Sequence, residues 1–485
     1  MTGWLIITEK DNTARRIASI LFKDVKVLKK GVNCYHSKSN NAYVVGLKGH
    51  IVEIDFPPEY NRWSEVPLKS LLNAELQKKI KEKKIANLLE ELAKKVDHVT
   101  IATDYDREGE LIGVEALEII KRINPNIKVD RARYSAITPS EIKKAFNNLS
   151  NVDFNLASSA MARQKIDLIW GAILTRLISL HSGKLGKDFL SVGRVQSPTL
   201  RLIVEREKEI KEFKPKKYWE IFAIFKNSEE FKAKHIKRFE SKEEAKKVFE
   251  RVRDGIVKKF EKKERKEAKP SPFNTTLFLK EASKFMSPDK AMNIAETLYM
   301  NGLISYPRTD NTVYPSSINV VKIAEMLSSI FPKEAKIVLN QEKIVPSKGK
   351  KESKDHPPIY PTGVASKEEL NKDEWRIYEL IARRFLATLA PNAVWEVKNV
   401  KIDSNGEIFK ALGKVLIGKG WREIYIYSKA EESYLPDLKV GEKLKLADKE
   451  IVEKETKPPS RYSTCLLYTS PSPRDLSTSR MPSSA

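Results

Sequence analysis

The sequence predicts a multidomain protein in which an α/β domain is followed by helical and β-rich segments. Its 485 residues, of which 41% are hydrophobic, are enough to build several cores. Short apolar runs alternate with amphipathic helical patterns in the first third, and two aromatic, β-branched segments bracket a helical block farther along. Because 32% of the residues are charged and no apolar run approaches the roughly 18 residues that span a bilayer, we expect no integral membrane protein.

The first third has the pattern of a mostly parallel sheet covered by helices. Residues 4–8 and 98–103 are apolar, strand-like runs. Residues 109–122 have helical periodicity, and the Lys-rich residues 75–95 also predict a helix. Strands that alternate with amphipathic helices are typical of α/β folds.

The remainder of the chain divides by its periodicity. Residues 138–212 have helical periodicity, broken only at residues 182–193. Residues 218–225 and 395–402 alternate like strands and bracket the helical residues 272–390, which predicts one β-rich domain interrupted by another. We interpret the charge run at residues 258–269 as a linker.

The charge balance indicates a polyanionic partner. Lys and Arg number 89 against 65 Asp and Glu, which gives a formal net charge of +24 and favours nucleic acid. Two cysteines, Cys34 and Cys465, are too few for a four-thiolate zinc site or a disulfide scaffold. Since the first residues do not have the pattern of a secretory signal, we expect an intracellular, reduced protein.

Acidic residues follow two of the predicted strands. Asp104 and Asp106 come directly after residues 98–103, and Glu9 comes directly after residues 4–8. In an extended segment Asp104 and Asp106 face the same way, and α/β sheets bind ligands at the carboxyl ends of their strands. If the two strands are adjacent, Glu9 joins this cluster, and an oxygen-only ligand set favours Mg²⁺. The alternative is a solvated acidic turn that caps the next helix.

Tyr306 and Arg308 form a second candidate site, directly after a predicted helix at residues 288–300. A tyrosine hydroxyl can attack a phosphodiester and hold the broken end covalently, so that rejoining needs no ATP. Arg308 can neutralise the charge that develops on the phosphoryl oxygens. Since the chain has 16 tyrosines, buried packing or a surface hydroxyl is the alternative for each of them.

Polar and basic residues suited to phosphate contact make a third set. Asp167 lies four residues beyond Arg163 on a predicted helix, where it can orient the guanidinium or form an ordinary ion pair. His356 lies in a proline-rich loop, where the alternative is a solvated histidine. A further loop ahead of a helix offers three donors to phosphate, namely Ser191, Arg194 and Gln196.

Together these motifs resemble the type IA DNA topoisomerases, nearest to the archaeal topoisomerase I and bacterial topoisomerase III branch. The resemblance runs from Trp4 to about Tyr462, with the motifs in the order of that family. It implies a multidomain fold, α/β plus α and β, in which an α/β domain is combined with helical and β-rich domains. These are a Toprim α/β domain, a helical DNA-binding domain, a β-rich arch and an inserted helical nucleophile domain, and together they form a toroid.

The resemblance also implies a reaction. One DNA strand is cut through a 5′-phosphotyrosyl link to Tyr306, another strand passes, and the break is resealed with Mg²⁺ and without ATP. Negatively supercoiled DNA is thereby relaxed. We expect a monomer that acts on single-stranded or negatively supercoiled DNA, is cytoplasmic and nucleoid-associated, and has no membrane partner. A partner helicase and the balance between relaxation and decatenation stay open.

The resemblance assigns a role to each site residue. Glu9 acts as acid and base at the leaving 3′-oxygen, Lys10 supports the phosphate, and Arg308 stabilises the pentavalent phosphate. The Mg²⁺ ligands are Glu9, Asp104, Asp106 and Glu108. The DNA-binding residues are Arg107, Arg163, Asp167, Ser191, Arg194, Gln196, Asp310 and His356.

The same resemblance sets the expected domain boundaries. They are 1–148 for the Toprim domain, 149–213 for the first part of the helical DNA-binding domain, 214–271 and 391–456 for the arch, 272–390 for the nucleophile domain, and 457–464 for the return to the helical domain.

Two other classes share some of these features. A non-catalytic single-stranded DNA-binding protein would need the basic groove but neither the carboxylates nor Tyr306. A Toprim primase or nuclease would need the carboxylates but no tyrosine nucleophile.

Residues 465–485 depart from the family pattern. A helix with a Gly-rich motif is expected there, whereas residues 465–475 resemble the translation of a transposase sequencing adapter. We therefore expect an artefactual tail on a C-terminally truncated chain. The alternative is a natural disordered tail rich in Ser, Thr and Pro.

Overall fold

The computed structural model describes residues 3–29, 31–353 and 356–463. The predicted tail at residues 465–485 lies outside this part of the chain. None of the helices in the described residues has an apolar stretch long enough to cross a bilayer.

The N-terminal domain is built on a six-stranded sheet. Its strands are β1 (Trp4–Thr8), β2 (Val25–Lys29), β3 (Asn33–Ser37), β4 (Ala42–Gly46), β7 (His98–Ile101) and β8 (Lys128–Arg131), in the order β2-β3-β4-β1-β7-β8. β1 is parallel to both β4 and β7, and β7 is parallel to β8. The predicted α/β domain is therefore present, with β1 and β7 adjacent.

Four helices cover this sheet and bury both of its faces. They are α1 (Asp11–Leu21), α2 (Lys83–Ala93), α3 (Arg107–Ile123) and α4 (Pro139–Asn147). In β1, Leu5 and Ile7 pack in the same cluster as Leu89 of α2, whereas Ile6 packs on the opposite face with Ala14 of α1. This alternation has the period of two that a strand buried on both faces requires.

The predicted helix at residues 75–95 is wrong in its first part. Residues Gln77–Ile80 form β6, which pairs with β5 (Val52–Asp55), and the helix begins at Lys83. Backbone pairing to a neighbouring strand here outweighs the helical propensity of a Lys-rich segment. Two short 3₁₀ helices, Pro58–Asn61 and Leu68–Leu72, lie in the connection between β5 and β6.

Two long helices follow the N-terminal domain, α5 (Phe154–His181) and α6 (Gln196–Glu212), with a 3₁₀ turn at Gly186–Asp188 between them. The predicted break at residues 182–193 is confirmed, but a further one lies at residues 148–153, and α5 begins where the side chain of Asp153 accepts from the backbone N–H of Leu156. Large apolar side chains remain exposed on both helices, including Ile166 and Trp170 of α5 and Leu200 of α6.

A closed six-stranded barrel takes three strands from each of two separate segments of the chain. The strands are β9 (Lys217–Lys226), β10 (Glu230–His235), β11 (Gly255–Glu267), β12 (Ala393–Ser404), β13 (Glu407–Gly418) and β14 (Lys443–Glu455), and α7 (Lys242–Arg251) packs against them. The two β-rich segments thus form a single unit around the inserted helical block.

The predicted linker at residues 258–269 is wrong. Most of it belongs to β11, which pairs with β12 from Ile256 to Glu267. Lys and Glu side chains on these strands form ion pairs such as Lys262 with Glu396. The charged residues of this run therefore lie on the exposed surface of a strand. Cross-strand pairing of opposite charges makes such a strand stable despite its composition.

The helical block between the barrel segments packs directly on the N-terminal sheet. It contains α8 (Thr275–Ala282), α9 (Pro288–Met300), α10 (Val320–Leu327), α11 (Pro332–Leu339) and α12 (Lys372–Leu389), with the short α13 (Trp421–Ile424) after β13. Tyr299 and Tyr306 share one buried cluster with Ala102 and Tyr134 of the N-terminal domain. This buried interface carries the candidate site.

Candidate active site

Tyr306 is buried at the interface between the helical block and the N-terminal sheet, with 5% of its surface exposed. Its backbone N–H donates to the carbonyl oxygen of Ser135 at 2.9 Å. Its hydroxyl donates to Oδ2 of Asp106 at 2.5 Å, and its ring centroid lies 4.6 Å from that of His356. The nucleophile candidate and one predicted metal ligand are therefore in direct contact.

A glycine sets the path of the chain between α9 and Tyr306. Gly302 has a φ of +69°, which L side chains rarely adopt. A Cβ at this position would lie 2.2 Å from Nη2 of Arg16 and 2.6 Å from the carbonyl oxygen of Ile137. The close approach of two domains therefore requires glycine here.

The carboxylates after β1 and β7 meet at one edge of the sheet, as predicted from their positions. Asp104 follows β7 and accepts from the hydroxyl of Tyr299 at 3.0 Å. Asp106 caps α3, with Oδ1 accepting from the backbone N–H of Gly109 at 2.8 Å. Asp106 therefore caps the next helix, as the alternative interpretation of the acidic turn expected, and it also belongs to the candidate site.

The electrostatics of this cluster follow from burial and mutual repulsion. Burial and the charge of Asp104 raise the pKa of Glu9 to about 8, against an ordinary value near 4.5. Burial and the charge of Asp106 raise the pKa of Asp104 to about 6. Burial and the same carboxylates also raise the pKa of Tyr306. The cluster carries more negative charge than its surroundings compensate.

Two cations converge on a carboxylate beside Tyr306. Lys10 donates from Nζ to Oε2 of Glu296 at 3.1 Å, and Arg308 donates from Nε to Oε1 of the same residue at 3.1 Å. Burial opposes ionisation of Glu296, but the hydrogen bond from Arg308 and the charge of Lys10 outweigh it and lower its pKa. Sequence reasoning identified both cations but missed the carboxylate.

Glu108 points away from the carboxylate cluster. Its Oε2 lies 3.2 Å from Nε2 of His50, and its Oε1 lies 3.6 Å from Nη1 of Arg163. Arg163 is in turn 3.8 Å from Asp167, which accepts two hydrogen bonds from Arg194 at 2.6 and 3.2 Å. These residues form a series of ion pairs that connects α3 to α5 and to the loop before α6.

Arg131 is a buried residue that holds the backbone of Asp104 in place. It donates from Nε to Glu110 at 2.8 Å, and the side chains of this pair are fully buried. Arg131 also donates from Nη2 to the carbonyl oxygen of Asp104 at 2.9 Å. Because Arg131 ends β8, beside β7, the sheet-edge rule that predicted Asp104 could have found it.

His356 is buried and connects the loop of the helical block to the N-terminal domain. Its Nδ1 lies 3.0 Å from Oγ of Ser135, and its Nε2 lies 2.7 Å from the carbonyl oxygen of Tyr105. The alternative of a solvated loop histidine is therefore wrong.

A cavity of about 220 Å³ adjoins the site. Five of the residues that line it were predicted from the sequence, namely Asp106, Arg107, Arg308, Asp310 and His356. Ser191 lies in the exposed loop before α6, and Gln196 is the first residue of that helix.

The carboxylate cluster has the oxygen donors that a hard cation prefers. Among the residues that the structure describes, no group of three or more His, Cys, Asp or Glu side chains is arranged to hold a metal ion. The hydroxyls of Tyr299 and Tyr306 donate to Asp104 and Asp106. The raised pKa values of Glu9 and Asp104 nevertheless fit a site that a hard cation would compensate.

Comparison with known proteins identifies the family. Residues 4–137 match the Toprim domain, and residues 151–468 match the DNA topoisomerase family. The chain belongs to the type IA DNA topoisomerase family. The predicted fold class and the family resemblance are confirmed.

Individual topoisomerases show how far the likeness extends. The chain is 68% identical to DNA topoisomerase 1 of Archaeoglobus fulgidus over 96% of its own length and 70% of that protein. It is 45% identical to DNA topoisomerase 1 of Thermoplasma acidophilum, of which it covers 61%. The structure of full-length topoisomerase I from Thermotoga maritima matches 96% of the chain, and the chain covers 74% of it, with a TM-score of 0.74 and 27% identity.

Proposed function

We propose that this topoisomerase chain cuts one strand of DNA with Tyr306 as the nucleophile. The phenolic oxygen attacks the phosphorus, the bond from phosphorus to the 3′-oxygen breaks, and the 5′-phosphate stays on Tyr306. Religation reverses the step without ATP, because the energy of the broken bond is kept in the phosphotyrosyl link. The direct contact between Tyr306 and Asp106 at 2.5 Å is the observation that carries this proposal.

Proton transfer in this step balances through two carboxyl groups. Asp106 accepts the proton of the Tyr306 hydroxyl, to which it is already hydrogen-bonded. Glu9 donates a proton to the leaving 3′-oxygen. With a pKa raised to about 8, Glu9 holds that proton at neutral pH, as a general acid must.

Lys10 and Arg308 supply positive charge to the scissile phosphate. Both lie at the edge of the cluster that holds Tyr306, and both keep part of their side chains exposed. A fixed cation is worth most at the point where charge develops in the transition state. We therefore assign the stabilisation of the pentavalent phosphate to Arg308 and the positioning of the phosphate to Lys10.

Magnesium fits the surplus of negative charge in the cluster. Glu9, Asp104 and Asp106 would hold it, joined by Glu108 if that side chain leaves His50 and Arg163. When bound, the ion supplies charge neutralisation that lets Asp104 and Asp106 ionise, and it helps to fix the DNA phosphates.

The single strand would run from α5 and α6 towards Tyr306. Ion pairs connect Arg194, Asp167 and Arg163 to Glu108 in the first turn of α3, the helix that Asp106 caps. Phosphate contacts from such residues position a strand without reading its sequence. The other proposed DNA contacts are Arg107, Ser191, Gln196, Asp310 and His356.

The activity of the whole enzyme follows from this cut. We infer strand passage through the gap and relaxation of negatively supercoiled DNA, by a monomer that is cytoplasmic and nucleoid-associated. A partner helicase belongs to the same proposal. The domain boundaries that the family resemblance implies belong to it as well.

The test uses a labelled single-stranded oligonucleotide and Mg²⁺. The chain should form an adduct that survives denaturation, with the label retained only when it lies on the 3′ side of the cut. Tyr306→Phe should form no adduct yet bind the strand as tightly. Binding without any adduct would favour the single-stranded DNA-binding protein, and cleavage that survives in Tyr306→Phe would favour the Toprim nuclease.

A further inference from the structure

Glu296 is shared by two cations that come from different parts of the chain. Lys10 lies two residues beyond the end of β1, whereas Arg308 lies in the loop after α9, the helix that carries Glu296 itself. The Glu296 side chain is 19% exposed, against 41% for Lys10 and 59% for Arg308. The carboxylate therefore sits behind two cations that face solvent.

The contacts of Arg308 are those that would bind a phosphate. Its Nε and Nη2 groups both donate to Oε1 of Glu296. This edge of the guanidinium is the fork that recognises carboxylates and phosphates alike. While it is engaged with Glu296, it is not available to a phosphodiester.

We propose that Glu296 is an exchangeable counter-anion, which occupies Lys10 and Arg308 in the DNA-free protein and is displaced by the scissile phosphate. This inference rests on the proposed function, because it takes these two cations as ligands of the scissile phosphate. Without an anion between them, two neighbouring cations at this interface would repel each other.

The exchange has a consequence for the interface between domains. The ion pair of Lys10 with Glu296 joins the N-terminal domain to the helical block, as the contact of Tyr306 with Asp106 does. While no DNA is bound, the ion pair of Lys10 with Glu296 connects the N-terminal domain to the helical block. When DNA binds, a phosphate held by both cations replaces Glu296 in this connection.

The test measures binding of a fluorescent single-stranded oligonucleotide in magnesium-free buffer, in a Tyr306→Phe chain that does not cut. Glu296→Gln should bind about tenfold more tightly, which corresponds to roughly 1.4 kcal/mol. Glu296→Asp keeps the charge but shortens the side chain, so it should give a smaller gain in the same direction. Thermal melts establish that each variant is folded.

Glu334→Gln is the matched control. Glu334 is 18% exposed, and it accepts from Arg383 at 2.7 Å in the same helical block. This variant removes the same charge from a similarly buried ion pair and should leave the affinity unchanged.

A second control separates exchange from general repulsion between Glu296 and DNA. In a chain that also carries Lys10→Met and Arg308→Met, the gain from Glu296→Gln should disappear. A gain that persists there, or unchanged or weaker binding by Glu296→Gln in the parent chain, would overturn the exchange. Adduct formation is measured separately, in the chain that keeps Tyr306 and with Mg²⁺ present. If that chain forms the adduct, either of those binding results refutes the exchange alone, whereas the absence of any adduct refutes the proposed reaction.

Discussion

Arg131 and Glu110 form an ion pair whose side chains have no exposed surface, and the guanidinium also holds the backbone of Asp104. Glu110 in turn accepts from the backbone N–H of Asp153, the cap of α5. One buried pair thus ties the end of β7 to both α3 and α5. The position of Asp104 depends on it.

Arg131→Met should destabilise the N-terminal domain severely. The change leaves Glu110 buried and unpaired, which typically costs about 3–5 kcal/mol. Arg133→Met is the control, because Arg133 is exposed on the same segment and such changes are usually within about 0.5 kcal/mol. Denaturant unfolding measures both. Equal stability of the two variants would contradict the role of the buried pair.

Tyr299→Phe should raise the pKa of Asp104 further, because the Tyr299 hydroxyl now stabilises its charged form. We expect adduct formation to fall about tenfold at neutral pH and to recover as the pH rises, since a hydrogen bond to a charged group is worth roughly 1.5–3 kcal/mol. The pH profile of adduct formation measures the shift.

Tyr134→Phe is the control for that experiment. The Tyr134 hydroxyl is also buried, but it donates to the carbonyl oxygen of Ala102 at 2.6 Å. Its loss should lower stability without moving the pH profile. An identical shift in both variants would show that Tyr299 acts only through packing.

Glu9 should make the stability of the metal-free protein depend on pH. The pKa of Glu9 is about 8 in the folded protein and near 4.5 in the unfolded chain. Between pH 4.5 and pH 8, Glu9 is therefore protonated in the folded protein and ionised in the unfolded chain. The free energy of unfolding should therefore fall as the pH rises from about 5 to about 8. Thermal melts in a chelator measure this slope.

Glu9→Gln should flatten that slope, since the variant has no group that titrates at this position. Identical slopes for the parent chain and Glu9→Gln would show that Glu9 is not the titrating group.

Gly302→Ala should disturb the path to Tyr306. It adds the strain of a positive φ and a clash with Arg16 and Ile137, so it should destabilise by more than about 1 kcal/mol and reduce adduct formation. Gly441→Ala is the matched control, since Gly441 has a φ of +87° and no heavy atom within 4 Å of an added Cβ. It should carry the strain alone and leave adduct formation unchanged.

The sequence predicted the sheet edge better than the helical block. Glu9 and Asp104 follow adjacent parallel strands, and strand polarity alone brings such residues together. Glu296 and Tyr299 lie three residues apart on α9, a spacing that says only that they share one face of a helix. Their partners, Lys10 and Asp104, are distant in sequence, so local patterns carry no sign of these contacts.

Predictions from charge patterns were wrong where contacts with distant parts of the chain determine the structure. The Lys- and Glu-rich run in β11 resembles a linker until its partner strand β12 is known. Glu108 shows the same limit at the site, because its place in the acidic motif groups it with Asp104 and Asp106. The loop before β5 and the packing of α5 beside α3 instead give it His50 and Arg163 as partners.

Mass spectrometry of the adduct tests the central claim most directly. The chain is incubated with a single-stranded oligonucleotide and Mg²⁺, denatured and digested with a nuclease and a protease. We predict that the peptide containing Tyr306 carries a nucleotide attached to its tyrosine through a 5′-phosphate. A nucleotide on any other residue, or attached through a 3′-phosphate, would contradict the account.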